Sequence, residues 1–296
     1  MFLVDFVPTS ASVSAIVSHR LRIVERCHVF RRRTYLLCEP EYFTVSYEIN
    51  AWMDASVPVD VSIARSQWTA LKETYENLGH TVHTLAPVPG LPDMVYSANG
   101  AFSVDGVVYG AQFAYPERTL EAIEHAKWYA ANGWDAFIAG TFNNEGEGDF
   151  TYVPGRELIL AGHGFRTVPA AHAEAQDVLQ RQVVGLHLVD ERFYHLDVAL
   201  FVLDDNNICY FPAAFSAGSQ KVLQKLFPDA VIATEEDALV FGLNSVSDGK
   251  NVVLPVEASA LATRLADAGF IPVPVSLSEL LKGGGSVKCC TAELRS

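Results

Sequence analysis

Met94-Val95-Tyr96-Ser97-Ala98-Asn99, continued through Val104-Asp105-Gly106 into Val107-Val108-Tyr109, reads as a β-hairpin, because Asp-Gly between two apolar runs is a strong tight-turn signal. Just upstream, residues 66–78 carry Trp68, Leu71, Tyr75 and Leu78 at helical spacing, stop at Gly79 and give way to a strand-like run over 81–85. The order helix, strand, hairpin then recurs. A second copy has a helix over 116–132, a strand over 136–138 and a hairpin over 148–160 that turns at Pro154-Gly155. The third has a helix over 170–182, a strand over 183–186 and a hairpin over 194–211 that turns at Asp204-Asp205-Asn206-Asn207. The fourth has a helix over 219–227, a strand over 230–232 and a hairpin with strands over 238–243 and 252–254, turning at Ser247-Asp248-Gly249. In the fifth a helix over 258–268 and a strand over 271–273 lead to a last strand carrying Cys289, whose missing hairpin partner is supplied by residues 34–38 from the start of the chain.

Spacing turns this repetition into a fold. Asn99, Asp149, Asp197, Asn244 and Cys289 fall in the first hairpin strand of successive copies, 50, 48, 47 and 45 residues apart. A period of that size, carrying polar residues, predicts an α/β fold in the form of a five-bladed, pseudo-fivefold propeller of ββαβ units around a central pocket. The competing arrangement is an ordinary doubly wound sheet of five αβ units. In a propeller the corresponding positions meet at the axis, where one pocket collects them. The domain assignment is a loosely ordered N-terminal arm over 1–33, in which serines and Arg31-Arg32-Arg33 follow a short apolar start, and one domain over 34–296.

Composition narrows the partners. A chain of 296 residues, half of them hydrophobic, can bury a sizeable core. Its net charge of −14 disfavours nucleic acid and favours small cations. Cysteines at 27, 38, 209, 289 and 290 show neither metal-ligand spacing nor a disulfide framework, which fits a reducing, cytoplasmic setting without a bound metal. No secretory signal pattern opens the chain and no run of 18 apolar residues occurs, so no membrane association is expected. Homo-oligomerisation is left open.

Three short stretches carry chemistry. Gly283-Gly284-Gly285-Ser286-Val287-Lys288-Cys289 places a thiol after a glycine run that lets backbone approach a ligand. Tyr194-His195-Leu196-Asp197, read as a strand, points an imidazole and a carboxylate to the same side, and Glu145-Gly146-Glu147-Gly148-Asp149 repeats that spacing with acids. Thiol, imidazole and carboxylates together suit covalent catalysis at an electron-poor carbon.

These motifs, with Gly164-Phe165-Arg166-Thr167, resemble the pentein or guanidine-modifying superfamily of arginine deiminases, dimethylarginine dimethylaminohydrolases, amidinotransferases and arginine dihydrolases. The likeness runs from about Cys38 to Leu294, and Cys38-Glu39-Pro40 with Asn50-Ala51-Trp52-Met53 is most similar to the dihydrolase branch. The resemblance implies Cys289 as nucleophile and His195 as general acid/base. It implies Asn99, Asp149, Asp197 and Arg166 as substrate-binding residues, with Asp197 on the guanidinium and Arg166 on an α-carboxylate. Deiminases carry Glu-Gly-Gly-Asp in the second blade, yet Gly146 stands three residues before Asp149, so the acid that orients His195 is Glu147 or Glu145. Strand alternation favours Glu147, which would share a face with Asp149, whereas Glu145 would need a bulge.

The implied activity is cofactor-free, cysteine-dependent hydrolysis of the guanidino C–N bonds of arginine or a methylated arginine through a thiouronium. Asn99, standing where deiminases and dimethylarginine hydrolases carry aspartate, leans the reading toward arginine dihydrolase, with dimethylarginine dimethylaminohydrolase as the alternative. An amidinotransferase or a non-catalytic propeller protein is a further alternative, separable by acceptor assays and thiol labelling.

Overall fold

The computed structural model describes residues 28–296. Within them lie five three-stranded sheets, each made of an antiparallel pair followed by a parallel third strand. Blade one is Ala101–Val104, Val107–Gly110 and Ala136–Ala139; blade two is Phe150–Val153, Leu158–His163 and Gln182–His187. Blade three is Leu200–Val202, Ile208–Tyr210 and Val231–Ile232; blade four is Val246–Ser247, Asn251–Pro255 and Ile271–Val275. A helix links the second and third strands of each: Thr119–Ala131, Pro169–Leu179, Ala217–Leu226 and Ser259–Asp267. Parallel neighbours need such a crossover, which is why each unit reads ββαβ.

Blade five is assembled from both ends of the chain. Ala292–Glu293 pairs antiparallel with Thr34–Cys38, in the register Tyr35 to Glu293 and Leu36 to Ala292, and Thr34–Cys38 pairs in parallel with Thr81–Leu85. The helix Val61–Asn77 buries Ala64, Trp68, Leu71 and Tyr75, a three-and-four spacing, in the same core as Tyr35 and Leu37. Tyr75 also bonds Thr291 Oγ1 through its hydroxyl at 2.9 Å, fixing the helix to the turn beside Cys289. The last strand of the chain thus pairs with the first described one, and the architecture is the five-bladed α/β propeller.

Three local expectations are corrected. Residues 238–243, expected as a strand, include the end of a short helix, Glu235–Leu239. It is nucleated by a capping box in which Thr234 and Asp237 satisfy each other's backbone amides. The periodic polar residues lie not in the first hairpin strands but in tight turns just before them. Asn99 is in the 3₁₀ turn Ser97–Gly100, Asp149 caps the turn Gly146–Gly148, and Asp197 is in Leu196–Val198. The period is therefore real, while the alternation argument built on strands does not apply.

The third correction concerns the N-terminal arm, of which residues 1–27 lie outside the described residues. Residues 28–33 are docked rather than loose. The His28 ring stacks on Phe270 at 3.7 Å, the Arg31 amide donates to Asp248 O at 2.8 Å, and Arg33 pairs with Glu293 at 3.1 Å.

Candidate active site

The turns of successive blades meet at the axis and hold one another through backbone amides. The Ala98 amide donates to Cys289 O at 3.0 Å, and the Leu196 amide to Asp149 Oδ1 at 3.0 Å. Asn244, from the turn that opens blade four, is the hub on the thiol side. Its Oδ1 accepts from the amides of Ser286 and Cys289, both at 3.1 Å, and its Nδ2 donates to Asp197 O at 3.1 Å. Cys289 Sγ is held between Asn244 Nδ2, at 3.1 Å, and Asp197 Oδ2, at 3.2 Å. Burial, then the adjacent Asp197 charge, pushes the Cys289 thiol well above its ordinary range. Burial also raises the Asp197 carboxyl to about 6, against the pull of His195.

The imidazole is oriented by an acid, and the acid is Glu145. Glu145 Oε2 lies 2.8 Å from His195 Nε2 and accepts from Arg166 Nη1 at 2.8 Å. Burial would raise the Glu145 carboxyl, but Arg166 and His195 outweigh it and hold it far below the usual carboxylate range. Glu147, which strand alternation favoured, points elsewhere. It binds Lys288 Nζ and Arg295 Nη1 and accepts from the Glu293 amide at 2.9 Å. In a turn with three residues per revolution, side chains two apart point roughly 120° apart instead of sharing a face. Gly146, at φ +53°, adds a left-handed kink between the two acids, and a side chain there would meet the backbone of Ala98 and Ala101.

Arg166 lies between the rings of Tyr115 and Tyr194, 4.6 and 4.8 Å from their centroids, and donates to Ile49 O at 2.7 Å. Its position beside Glu145 keeps it at the site. Asp149 is placed differently from the expected substrate ligand: its oxygens accept from the Leu196 and Thr167 amides, so it joins blades two and three.

Asn99 is gripped from behind. Its Oδ1 accepts from Arg118 Nη1 at 2.9 Å, and Arg118 also makes two bonds to Glu121, at 3.0 and 2.8 Å. Asp93, which accepts from the Tyr47 hydroxyl at 2.9 Å, completes this buried group. Several polar atoms of the centre are buried without a protein partner: Asn99 Nδ2, His195 Nδ1, Asp197 Oδ1, Asp93 Oδ1 and Ser286 Oγ. Such atoms are costly unless something else satisfies them, which marks where a polar ligand belongs. A side chain on Gly148 would overlap the Asn99 amide and stand 3.1 Å from His195 Nδ1, so glycine there keeps those two groups open to each other.

The chain is 53% identical to the N(G),N(G)-dimethylarginine dimethylaminohydrolase of Mycobacterium tuberculosis, over 89% of this chain and 86% of that one. It belongs to the pentein, guanidine-modifying superfamily. It is also 33% identical to the bifunctional arginine dihydrolase/ornithine cyclodeaminase ArgZ of a Synechocystis species, spanning 37% of that longer protein. Among solved structures, the N-terminal domain of ArgZ bound to substrate superposes with a TM-score of 0.86 at 31% identity, over 89% of this chain and 98% of that one. A dimethylarginine dimethylaminohydrolase from Pseudomonas aeruginosa, complexed with citrulline, shares the fold at a TM-score of 0.77 and 16% identity. No family model matches the chain. The protein is a hydrolase of C–N bonds other than peptide bonds in guanidino compounds.

The hydrolase thus brings Cys289, His195, Asp197, Glu145, Arg166 and Asn99 to one centre, while Glu147 binds Lys288 and Arg295 and Asp149 accepts from the Leu196 and Thr167 amides. Sequence reasoning missed Arg118, Asp93 and Glu121. Leu91-Pro92-Asp93 offered a faint signal, a lone acid just before a periodic turn, whereas Arg118 and Glu121 look like ordinary first-turn helix residues. Asn244 was visible in the period but had no assigned role. Among the described residues no group of three or more His, Cys, Asp or Glu side chains could hold a metal ion, and no helix is long and apolar enough to cross a membrane.

Proposed function

We propose that the protein hydrolyses arginine twice at its guanidino carbon, as an arginine dihydrolase. The observation that carries the reading is the set of unpartnered groups around Cys289, in which a neutral amide, Asn99 Nδ2, stands beside His195 Nδ1 at the blade-one position. Arginine's guanidinium would lie against Asp197, its carboxylate against Arg166. Burial and the neighbouring Asp197 charge push the thiol well above its ordinary range in the free protein, which disfavours its ionised form. An incoming cation offsets the Asp197 charge and lowers the cost of ionising Cys289, whose proton passes to His195, so the nucleophile and the protonated imidazole form where the substrate sits.

The thiolate then adds to the guanidino carbon. A terminal C–N bond breaks, the departing nitrogen takes a proton from His195, and ammonia leaves a thiouronium on Cys289. With Nε2 on Glu145, Nδ1 is the imidazole nitrogen free to move protons. Water, deprotonated by His195, attacks the thiouronium carbon, and cleavage of the C–S bond returns the thiolate and a ureido group, citrulline. In the second round the thiolate attacks the ureido carbon and expels the δ-amine of ornithine, protonated by His195. Water releases the carbamoyl group from sulfur as carbamic acid, which falls apart to carbon dioxide and ammonia. Arginine and two waters become ornithine, carbon dioxide and two ammonia.

A second reading, dimethylarginine dimethylaminohydrolase, is favoured by the 53% identity to a relative of that name. It uses the first round only and releases dimethylamine. Incubation with arginine, monomethylarginine, dimethylarginine and agmatine, with products identified by mass spectrometry, separates the two. Ornithine from arginine supports the dihydrolase. Dimethylamine from dimethylarginine with arginine untouched overturns it in favour of the second reading.

A further inference from the structure

Each blade has an outer strand with a free edge, and four of the five are guarded against pairing with another chain. Ile271–Val275 carries Pro272 and Pro274, Val231–Ile232 is only two residues long, Gln182–His187 exposes Gln182 and His187, and Thr81–Leu85 exposes His83 and Thr84. Proline, brevity and polar side chains all blunt a sheet edge. The outer strand of blade one has neither proline nor a polar side chain. It reads Ala136-Phe137-Ile138-Ala139 and runs on through Gly140-Thr141-Phe142, without a charge, in a chain of net charge −14. Ile138 is 43% and Phe142 46% exposed.

The backbone of that edge is free in a definite pattern. The Gly140 amide donates to Gly110 O at 3.0 Å, toward the neighbouring strand Val107–Gly110. Alternation turns the amides and carbonyls of Ala136 and Ile138 to the same side and leaves those of Phe137 and Ala139 on the outer edge. Ile138 and Phe142 also form one wall of an open groove of about 660 Å³, whose other wall is the helix Pro169–Leu179 with Ala170, Ala173 and Val178. Two acids line the groove, Glu174 and Asp177. Glu174 is already occupied, by the Tyr109 hydroxyl at 2.5 Å and the Thr141 and Phe142 amides at 3.1 and 3.3 Å.

We propose that a second copy of this chain docks on the edge, the two outer strands pairing antiparallel about a twofold axis through Ile138. A twofold interface must be self-complementary, and this edge is. Phe137 of each copy exchanges backbone bonds with Ala139 of the other. Ile138 then stands directly opposite the partner's Ile138 as a non-hydrogen-bonded pair, the closer of the two antiparallel pairings, with both side chains on one face. The absence of charge selects a second copy as the occupant, because two strongly acidic chains meet here without like charges opposed. Four residues a side and the adjoining groove bury at most about the 1,200 Å² at which stable interfaces begin, so the dimer is expected to dissociate on dilution.

Sedimentation velocity of the full chain over a dilution series reaching about 100 μM tests the proposal. Wild-type protein is expected to pass from monomer to dimer as concentration rises. Ile138→Lys sets like charges opposite each other, and Ala139→Pro removes an outward amide without breaking a bond inside the sheet; each should stay monomeric throughout, with an unchanged thermal melt. Ile138→Cys brings two thiols together across the axis at a separation suited to a disulfide. Glutathione disulfide, itself reduced to two glutathiones, should therefore join two Ile138→Cys chains covalently and leave wild-type protein unlinked. Wild-type protein that is monomeric at every concentration would assign the edge to another partner and overturn the proposal. A dimer that survives both Ile138→Lys and Ala139→Pro, or Ile138→Cys protein that cross-links no more than wild type, would place the interface elsewhere and overturn it too.

Discussion

Glu145 and Glu147 are two residues apart in one turn, both buried, and they live in opposite surroundings. Glu147 is enclosed by Lys288, Arg295 and the Glu293 amide, beside a cavity that Glu293 and Asp197 also border. Glu145 shares one oxygen between His195 and Arg166, in a centre where Asn99, His195 and Asp197 each keep a polar atom without a protein partner. Both carboxylates have partners on both oxygens, Glu145 Oε1 also accepting from the Ala114 amide at 3.3 Å, but only Glu145 is bonded to an imidazole whose other nitrogen is buried without a protein partner. The distinction separates the two acids where burial and residue type do not.

The largest expected effect is at the thiol. Cys289→Ser should abolish turnover, because a hydroxyl ionises far less readily than a thiol, while binding of substrate persists. Residual turnover by that variant would move the nucleophile elsewhere. The two acids come next. Glu145→Gln should lower kcat by at least about a hundredfold, since it loses the charge that orients and supports the imidazolium. Glu147→Gln should leave kcat within severalfold but destabilise the fold by about 2–4 kcal/mol, the cost of leaving two buried cations short of a counter-charge. Denaturant melts with steady-state rates would reveal the reverse ranking, if Glu147 were the orienting acid.

A smaller effect is set by pH. The Asp197 carboxyl, raised to about 6 by burial, must be ionised to hold a guanidinium, so kcat/KM should rise as pH passes upward through about 6. Alkylation of free Cys289 by iodoacetamide should keep rising with pH above 8 without a plateau near neutrality, because the free thiol titrates high. A plateau near pH 7 would mean that the thiolate is formed without substrate. The smallest effect is expected from Cys290→Ser, since that buried cysteine feels the Asp197 charge but its thiol makes none of the hydrogen bonds described at the centre, and the change should alter kcat less than about threefold. Labelling of Cys290, not Cys289, by a chloroacetamidine would reverse the assignment.

The same contrast explains what could be read from the sequence. Spacing of 50, 48, 47 and 45 residues sufficed for the propeller, and the closure of blade five by residues 34–38 followed from a missing hairpin partner. Cys289 and Asp197 were legible because they fall at that period, and His195 because it stands two residues before Asp197 in the same short stretch. The choice between Glu145 and Glu147 was not, because it depends on whether the chain is extended or wound into a 3₁₀ turn at Gly146, and a period of two gives the wrong answer there. Arg118 and Glu121 were invisible for another reason. Their role arises from burial behind Asn99, which only the packing of the helix Thr119–Ala131 against the centre creates.

The central claim is that arginine is taken through both rounds at the one thiol. ¹³C NMR of the protein turning over arginine labelled at the guanidino carbon tests it directly. The account predicts that the label ends as bicarbonate, with two ammonia released per arginine and ornithine as the organic product. A label that accumulates as the ureido carbon of citrulline would contradict it.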